Sequence, residues 1–317
     1  MTPRHRHWQR RGRARTAVTS PVMPASEHRP RPAPPRTPIG GHVPVAGGLA
    51  TRGLAYADRV GAECVQVFVG NARGWATGPG DPREDALLRA RTGLPAFVHA
   101  PYLINPGAPD PDVAAKSVAS LGHALRRGAE IGALGVVVHT GSAVSDDRGA
   151  GLARAARRLG PLLDALGDSG PRLLLEPMAG QGRVLCATVE DVARYLDALE
   201  WHPMAGVCLD TAHLFAAGHD IASSKGMRAM LDGFGAAVGA DRLGLVHAND
   251  SALPCGSRKD RHANIGAGHI GAEPFAELFS HPVSAGVPVT VETPGPEGPH
   301  AADIAALKRL REGSGTG

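Results

Sequence analysis

The chain has 317 residues, 43% of them apolar and only 4% aromatic, enough for one large domain whose core must be built mainly from Leu, Val and Ala. Residues 1–38 carry nine Arg, no Lys and one Glu, whereas the remainder carries 25 basic and 29 acidic side chains. The net charge of +4 therefore belongs to the N-terminal segment and cannot argue for nucleic-acid binding by the folded part. No apolar stretch nears the roughly 18 residues of a membrane span, and Cys64, Cys186, Cys208 and Cys255 form no CxxC pair; this excludes a disulfide scaffold and a thiolate zinc finger and fits a cytoplasmic protein.

In chain order, residues 1–38 come first. They are rich in Arg and Pro and have no apolar period, so they are expected to be a disordered tail. They lack the apolar stretch of a signal peptide. Such a tail either holds DNA electrostatically or is an extension upstream of a true start at Met23.

From residue 39 to 317, eight apolar strand candidates alternate with helical stretches: 39–45, 64–70, 95–100, 134–139, 172–176, 205–210, 242–247 and 287–292. Helices are expected near 48–62, 83–92, 111–132, 148–167 and 188–199, then in a helical region reaching about 239. A long loop runs to about 271, and a closing helix spans about 300–312. In the helix at 111–132 the apolar face is drawn through Val113, Val118, Leu121, Leu125 and Ile131. Eight βα units in this length predict an α/β TIM barrel. An open doubly wound sheet would gather its ligands at one switch point, and no glycine-rich dinucleotide or P-loop motif follows any strand.

Six of the strands end in a metal-binding side chain: His99, His139, Glu176, Asp210, His247 and Glu292. In an α/β barrel the carboxyl ends of the strands build the catalytic mouth, so six such residues on successive strands point to a polynuclear metal centre. Glu176 stands between His99 and His139 on one side and Asp210, His247 and Glu292 on the other, where one carboxylate can bridge two metals. A metal pair about 3.5–4 Å apart suits displacement at phosphorus. DTAH places His213 three residues after Asp210, and KDRH places Asp260 and His262 two apart in the long loop, a candidate third site.

The motifs HVPVAGG (42–48), NARGW (71–75), HAPYLIN (99–105), HTGS (139–142), EPMAGQG (176–182), CLDTAHLFAAGHD (208–220), HANDS (247–251), GSRKDRHANIGAGHIG (256–271) and VETPGPEG (291–298) resemble those of the endonuclease IV family. The resemblance implies a xylose-isomerase-like TIM barrel and a zinc-dependent apurinic/apyrimidinic endonuclease of DNA repair. It implies three zinc ions: one on His99, His139 and Glu176, one on Glu176, Asp210, His247 and Glu292, and one on His213, Asp260 and His262. Glu176, Asp210 and Glu292 are expected to be catalytic, and Arg73 and Tyr102 to enter DNA at the lesion. Expected partners are double-stranded DNA with abasic sites or blocked 3′ ends, met by a monomer in the cytoplasm at the nucleoid. Manganese is a second candidate metal. The rival expectation is a metal-dependent sugar isomerase or epimerase of the same barrel class. The chain departs from the family pattern at Thr140, Ala143, Pro177, Met178, Ala267 and His269, none of them a proposed ligand.

Overall fold

The computed structural model describes residues 36–167, 169–295 and 297–314. The expected tail lies outside these residues as far as residue 35. Its last residues belong to the folded part: Thr37 is buried, and its carbonyl accepts a hydrogen bond from Arg311 Nη1 at 2.6 Å.

Eight parallel strands close a barrel. They are β1 (Ile39–His42), β2 (Val65–Val67), β3 (Ala96–His99), β4 (Gly135–His139), β5 (Arg172–Glu176), β6 (Ala205–Asp210), β7 (Leu243–His247) and β10 (Val289–Val291), paired in the order β1-β10-β7-β6-β5-β4-β3-β2. A two-residue antiparallel pair, β8 (Asp250–Ser251) with β9 (His262–Ala263), lies within the loop expected to run irregularly to 271. The helices are α1 (Thr51–Val60), α2 (Pro82–Ala90), α3 (Pro111–Ile131), α4 (Arg148–Asp164), α5 (Val189–Ala198), α6 (Thr211–Ala217), α7 (Ser224–Ala237), α8 (Glu277–Ser280) and α9 (Glu297–Ser314). The helical region expected to reach 239 is thus two helices. Gly218, at φ 115°, ends α6 in the left-handed conformation, and the Ser223 hydroxyl caps α7 at Gly226 N.

The strands place their side chains by the two-residue period. Phe97, Val137, Leu174, Cys208 and Leu245 form a buried apolar layer inside the barrel, and each precedes by two residues the ligand-type side chain that ends its strand. The mouth therefore rests on an apolar floor. Leu174 fills the barrel's lower end because Gly135, Gly206 and Gly244 leave room for it: a Cβ at any of the three would come within 2.9 Å of its side chain. Gly244 is also an extra residue in the β6–β7 ladder, and that shift brings Asp210 level with His247.

One expectation about the packing is corrected. The face of α3 that meets the barrel is made of Ala114, Ser117, Ser120, Leu121, Ala124, Leu125, Gly128 and Ile131, while Val113 and Val118 are only half-buried. Small side chains let this helix lie close to the sheet, and the larger valines fall beside the contact rather than in it. Among the described residues no helix is long and apolar enough to cross a membrane, and all four cysteines are free.

Candidate metal centre

Five of the six strand-end residues are the last residues of their strands, and Glu292 is the first after β10. His139 pairs in register with Glu176, and Asp210 with His247. Glu176 is fully buried at the middle of the group. Its Oε2 lies 3.3 Å from His99 Nε2 and 3.4 Å from His139 Nε2. Its Oε1 lies 3.1 Å from His247 Nδ1 and 3.3 Å from His213 Nδ1. The two carboxylate oxygens therefore face two different sets of imidazoles. Burial alone would raise the Glu176 carboxyl, but His247, His139 and His213 outweigh it and hold it well below the usual carboxylate range.

The hydrogen bonds around the imidazoles decide which nitrogens face inward. His99 Nδ1 donates to Ala100 O at 2.6 Å, and His262 Nδ1 donates to Glu292 O at 3.3 Å. Each leaves Nε2 pointing into the cluster. His247 is reversed, and a chain of contacts fixes it. The Glu292 carboxylate can only accept, so Gln66 presents its amide Nε2 to Glu292 Oε1 at 2.5 Å. Gln66 Oε1 then accepts from His247 Nε2 at 2.9 Å. In the neutral imidazole this leaves the His247 Nδ1 lone pair directed at Glu176, Glu292 and Asp210, at 3.1, 3.3 and 3.8 Å. A lone pair facing three carboxylates calls for a cation, a proton or a metal, and His247 is raised well above the ordinary imidazole value. Outer partners that fix a histidine's tautomer in this way are the usual support of metal-binding imidazoles. Three buried atoms of the cluster, His99 Nε2, Glu176 Oε2 and His262 Nε2, face one another or Asp260 without a well-formed hydrogen bond, and a metal would satisfy them.

Asp210 explains the DTAH spacing. It is the N-cap of α6, and its Oδ1 accepts from His213 N at 2.8 Å. Its Oδ2 accepts from Asn249 Nδ2 at 2.7 Å and lies 3.6 Å from His262 Nε2. The cap thus sets both the start of the helix and the position of His213. Asp260 reaches His213 Nε2 at 3.2 Å and His262 Nε2 at 3.1 Å. Asp210, His213 and His262 also lie close enough to share an ion, so Asp210 stands beside the third group as well as the second. His262 is raised to about 9: burial would lower it, but Asp210 and Asp260 prevail. His139 goes the other way, to about 4, because burial dominates the pull of Glu176. The nine side chains proposed from the sequence therefore converge, with one ligand-type group shared differently from expectation.

Arg73 and Tyr102 lie on neighbouring loops joined by Tyr102 N donating to Ala72 O at 2.9 Å. Tyr102 is 43% exposed, and its ring lies 5.2 Å from that of His99 and 5.7 Å from that of His139. Leu103 beside it is 39% exposed, an apolar side chain on the rim that was not singled out in the sequence. Gln66 and Asn249 were also missed. Gln66 was visible as a lone amide in the apolar run CVQVF, and Asn249 lay inside a quoted motif without a role. Asn249 donates to Asp210 and accepts from Glu292 N at 2.8 Å, tying the last two strand-end carboxylates together. Of the departures, Ala143 is buried against α4, where a Cβ on Gly151 would come within 2.8 Å of its own. Pro177 contributes its carbonyl to His213 Nδ1 at 3.0 Å.

Residues 54–311 match the family of xylose isomerase-like TIM barrels. A protein of Streptomyces avermitilis described as "Probable endonuclease 4" is 53% identical over 310 residues, covering 96% of this chain and 99% of that protein. A Streptomyces coelicolor protein of the same description is 55% identical over 284 residues, covering 88% and 97%. The crystal structure of endonuclease IV from Thermus thermophilus superposes with a TM-score of 0.77 at 34% identity, covering 87% of this chain and 99% of that one. A D-tagatose 3-epimerase-like protein superposes with a TM-score of 0.70 at 19% identity, a likeness of fold alone.

Proposed function

We propose, from the premise that this chain belongs to the endonuclease IV family of metal-dependent DNA-repair nucleases, that it hydrolyses the phosphodiester 5′ to an abasic site in double-stranded DNA with three zinc ions. The products on this reading are a 3′-hydroxyl and a 5′-deoxyribose phosphate, and blocked 3′ ends are trimmed as well. His99, His139 and Glu176 hold one ion, Glu176, Asp210, His247 and Glu292 a second, and His213, Asp260 and His262 a third. Manganese is an alternative occupant, since His and carboxylate ligands accept it too. The enzyme acts as a monomer on nucleoid DNA in the cytoplasm.

Zinc held by these residues would supply Lewis acidity and lower the pKa of water at the site. The chain's own part is orientation. Glu176 faces both imidazole sets, Glu292 is aligned by Gln66, and Asp210 is fixed between α6 and Asn249. Glu292 stays ionised because the imidazoles of His247, His42 and His99 outweigh its burial. Arg73 and Tyr102 form the rim, where planar side chains can fill the space left by a missing base.

The observation that carries this reading is the division of the Glu176 carboxylate between the Nε2 atoms of His99 and His139 on one oxygen and His247 Nδ1 on the other. The test is incision of a duplex carrying one tetrahydrofuran abasic analogue, together with metal analysis. Incision 5′ to the analogue and about three zinc per chain are expected. No incision with zinc present, as on an intact duplex, would refute it. One or two manganese or magnesium per chain would favour a sugar isomerase, which has no use for the group at His213, Asp260 and His262.

A further inference from the structure

The third group differs from the others in where its ligands sit. Asp260 and His262 lie in and beside β9, away from the barrel strands. The sheet cannot fix them, so something else must.

Asp250 stands on the strand that pairs with β9. It is fully buried on β8, and β8 pairs with β9 so that Asp250 faces Ala263 and Ser251 faces His262. Ala252 N donates to Arg261 O at 2.9 Å and extends this pairing toward Asp260. The Asp250 carboxylate accepts five backbone N–H groups. Oδ1 takes those of Ser251 and Ile270 at 2.7 and 2.8 Å. Oδ2 takes those of Gly266, Gly268 and Gly271 at 3.0, 3.0 and 3.2 Å. All five partners are donors, so the position suits an acceptor-only carboxylate; an Asn would set its amide N–H against at least one of them. Gly268 permits the approach: a Cβ there would lie 2.4 Å from Ser251 O and 2.5 Å from Asp250 Oδ1.

A second buried carboxylate holds the near end of the same segment. Asp303 on α9 accepts from Ile265 N at 2.9 Å, Asn264 Nδ2 at 2.8 Å and Thr293 Oγ1 at 2.5 Å. Thr293 follows Glu292, so Asp303 also connects the segment to the last strand-end carboxylate.

We infer that Asp250, supported by Asp303, is the positioning residue of the third metal group: it gathers the backbone of 266–271 against the β8–β9 pair and thereby sets Asp260 and His262 at His213. This rests on the three-metal reading above. Ala267 and His269 sit in the gathered segment, which meets the Asp250 carboxylate through its main chain. The unusual side chains at these two positions therefore change what the loop shows to solvent and leave its path intact.

The test uses the full chain as Asp250→Asn and as Gly268→Ala, which opens the same contact from the other side. Zinc content is measured by elemental analysis after dialysis, with amide hydrogen exchange followed by mass spectrometry. One zinc should be weakened by about 10–100-fold, with faster exchange confined to 260–271. Excess zinc in the assay should restore incision; a generally destabilised barrel, which zinc would also stabilise by mass action, is told apart by faster exchange outside 260–271. Unchanged zinc affinity in both variants overturns the inference, as does faster exchange spread through the barrel strands or a failure of excess zinc to restore a folded variant. If Asp250→Asn does not fold, Gly268→Ala carries the same expectation and the same refutation. A parent protein holding fewer than three zinc would instead overturn the three-metal reading, so the two failures are told apart.

Discussion

The two sides of the centre are built by different means. His99, His139, Glu176 and His247 end barrel strands, and the backbone ladder with the apolar layer beneath determines where they point. His213, Asp260 and His262 stand on a capped helix, a loop and a two-residue strand, and side-chain carboxylates hold that frame. The Asp260 side chain is 42% exposed, whereas Glu176 and His247 are sealed. Ligands from a sheet are rigid by inheritance; ligands from loops need their own supports, and open more easily to solvent.

The largest effect is expected at Glu176, the carboxylate that two of the proposed ions share on the strand side. Glu176→Ala should cost at least about 10²-fold in incision and lower the metal content, and Glu176→Gln should lose most activity. Full zinc content and full rate in the alanine variant would end the bridging role. Next comes Gln66→Leu, which removes the acceptor that sets the His247 tautomer while touching no ion. About 10–100-fold in metal affinity or rate should be lost, read by zinc titration; an unchanged titration would mean that His247 needs no such guide.

A smaller effect separates the two sides directly. During slow dialysis against a chelator, one metal should leave well before the others, and Asp260→Ala should abolish that first phase alone. Release of all metals in a single phase would erase the contrast. The subtlest effect is on pH. His262 is raised to about 9, so its contribution to the metal-free protein is complete below the unfolded value near 6.5 and is lost as pH rises through about 9. The melting temperature of metal-free protein should fall over that window. The metal-loaded form should hold steady, and zinc uptake at pH 7.5 should release protons from His262 and from His213 and His247, which are raised as well. His139, lowered to about 4, has none to give at that pH. Calorimetry in buffers of different ionisation heat measures this release, and zero release would refute the assignment.

How far the amino-acid order foretold this differs between the same two sides. The placement of the strand-end side chains was readable because an apolar run closed by His, Asp or Glu states both the burial and the direction of its last side chain. The register that makes neighbours of Asp210 and His247 was not, since it depends on one extra glycine in β7. DRH was readable as a pair of side chains on one side, but its support was not. Asp250 and Asp303 look like ordinary polar loop and helix residues until the chain brings six backbone N–H groups to them. Helix α3 misled for a related reason: the largest apolar residues marked a face, while close approach to the sheet selected the smallest.

The cap of α6 has one more consequence. One oxygen of Asp210 accepts the amide hydrogen of His213 while the other faces the centre, so the first turn of that helix and the charge at the mouth are a single linked equilibrium. An ion that holds Asp210 in place also keeps that turn wound, and fraying of the turn loosens the ion in equal measure. The His213 amide is therefore a built-in gauge: its exchange with solvent deuterium should slow as the site fills, giving occupancy at a single atom without a substrate or a dye.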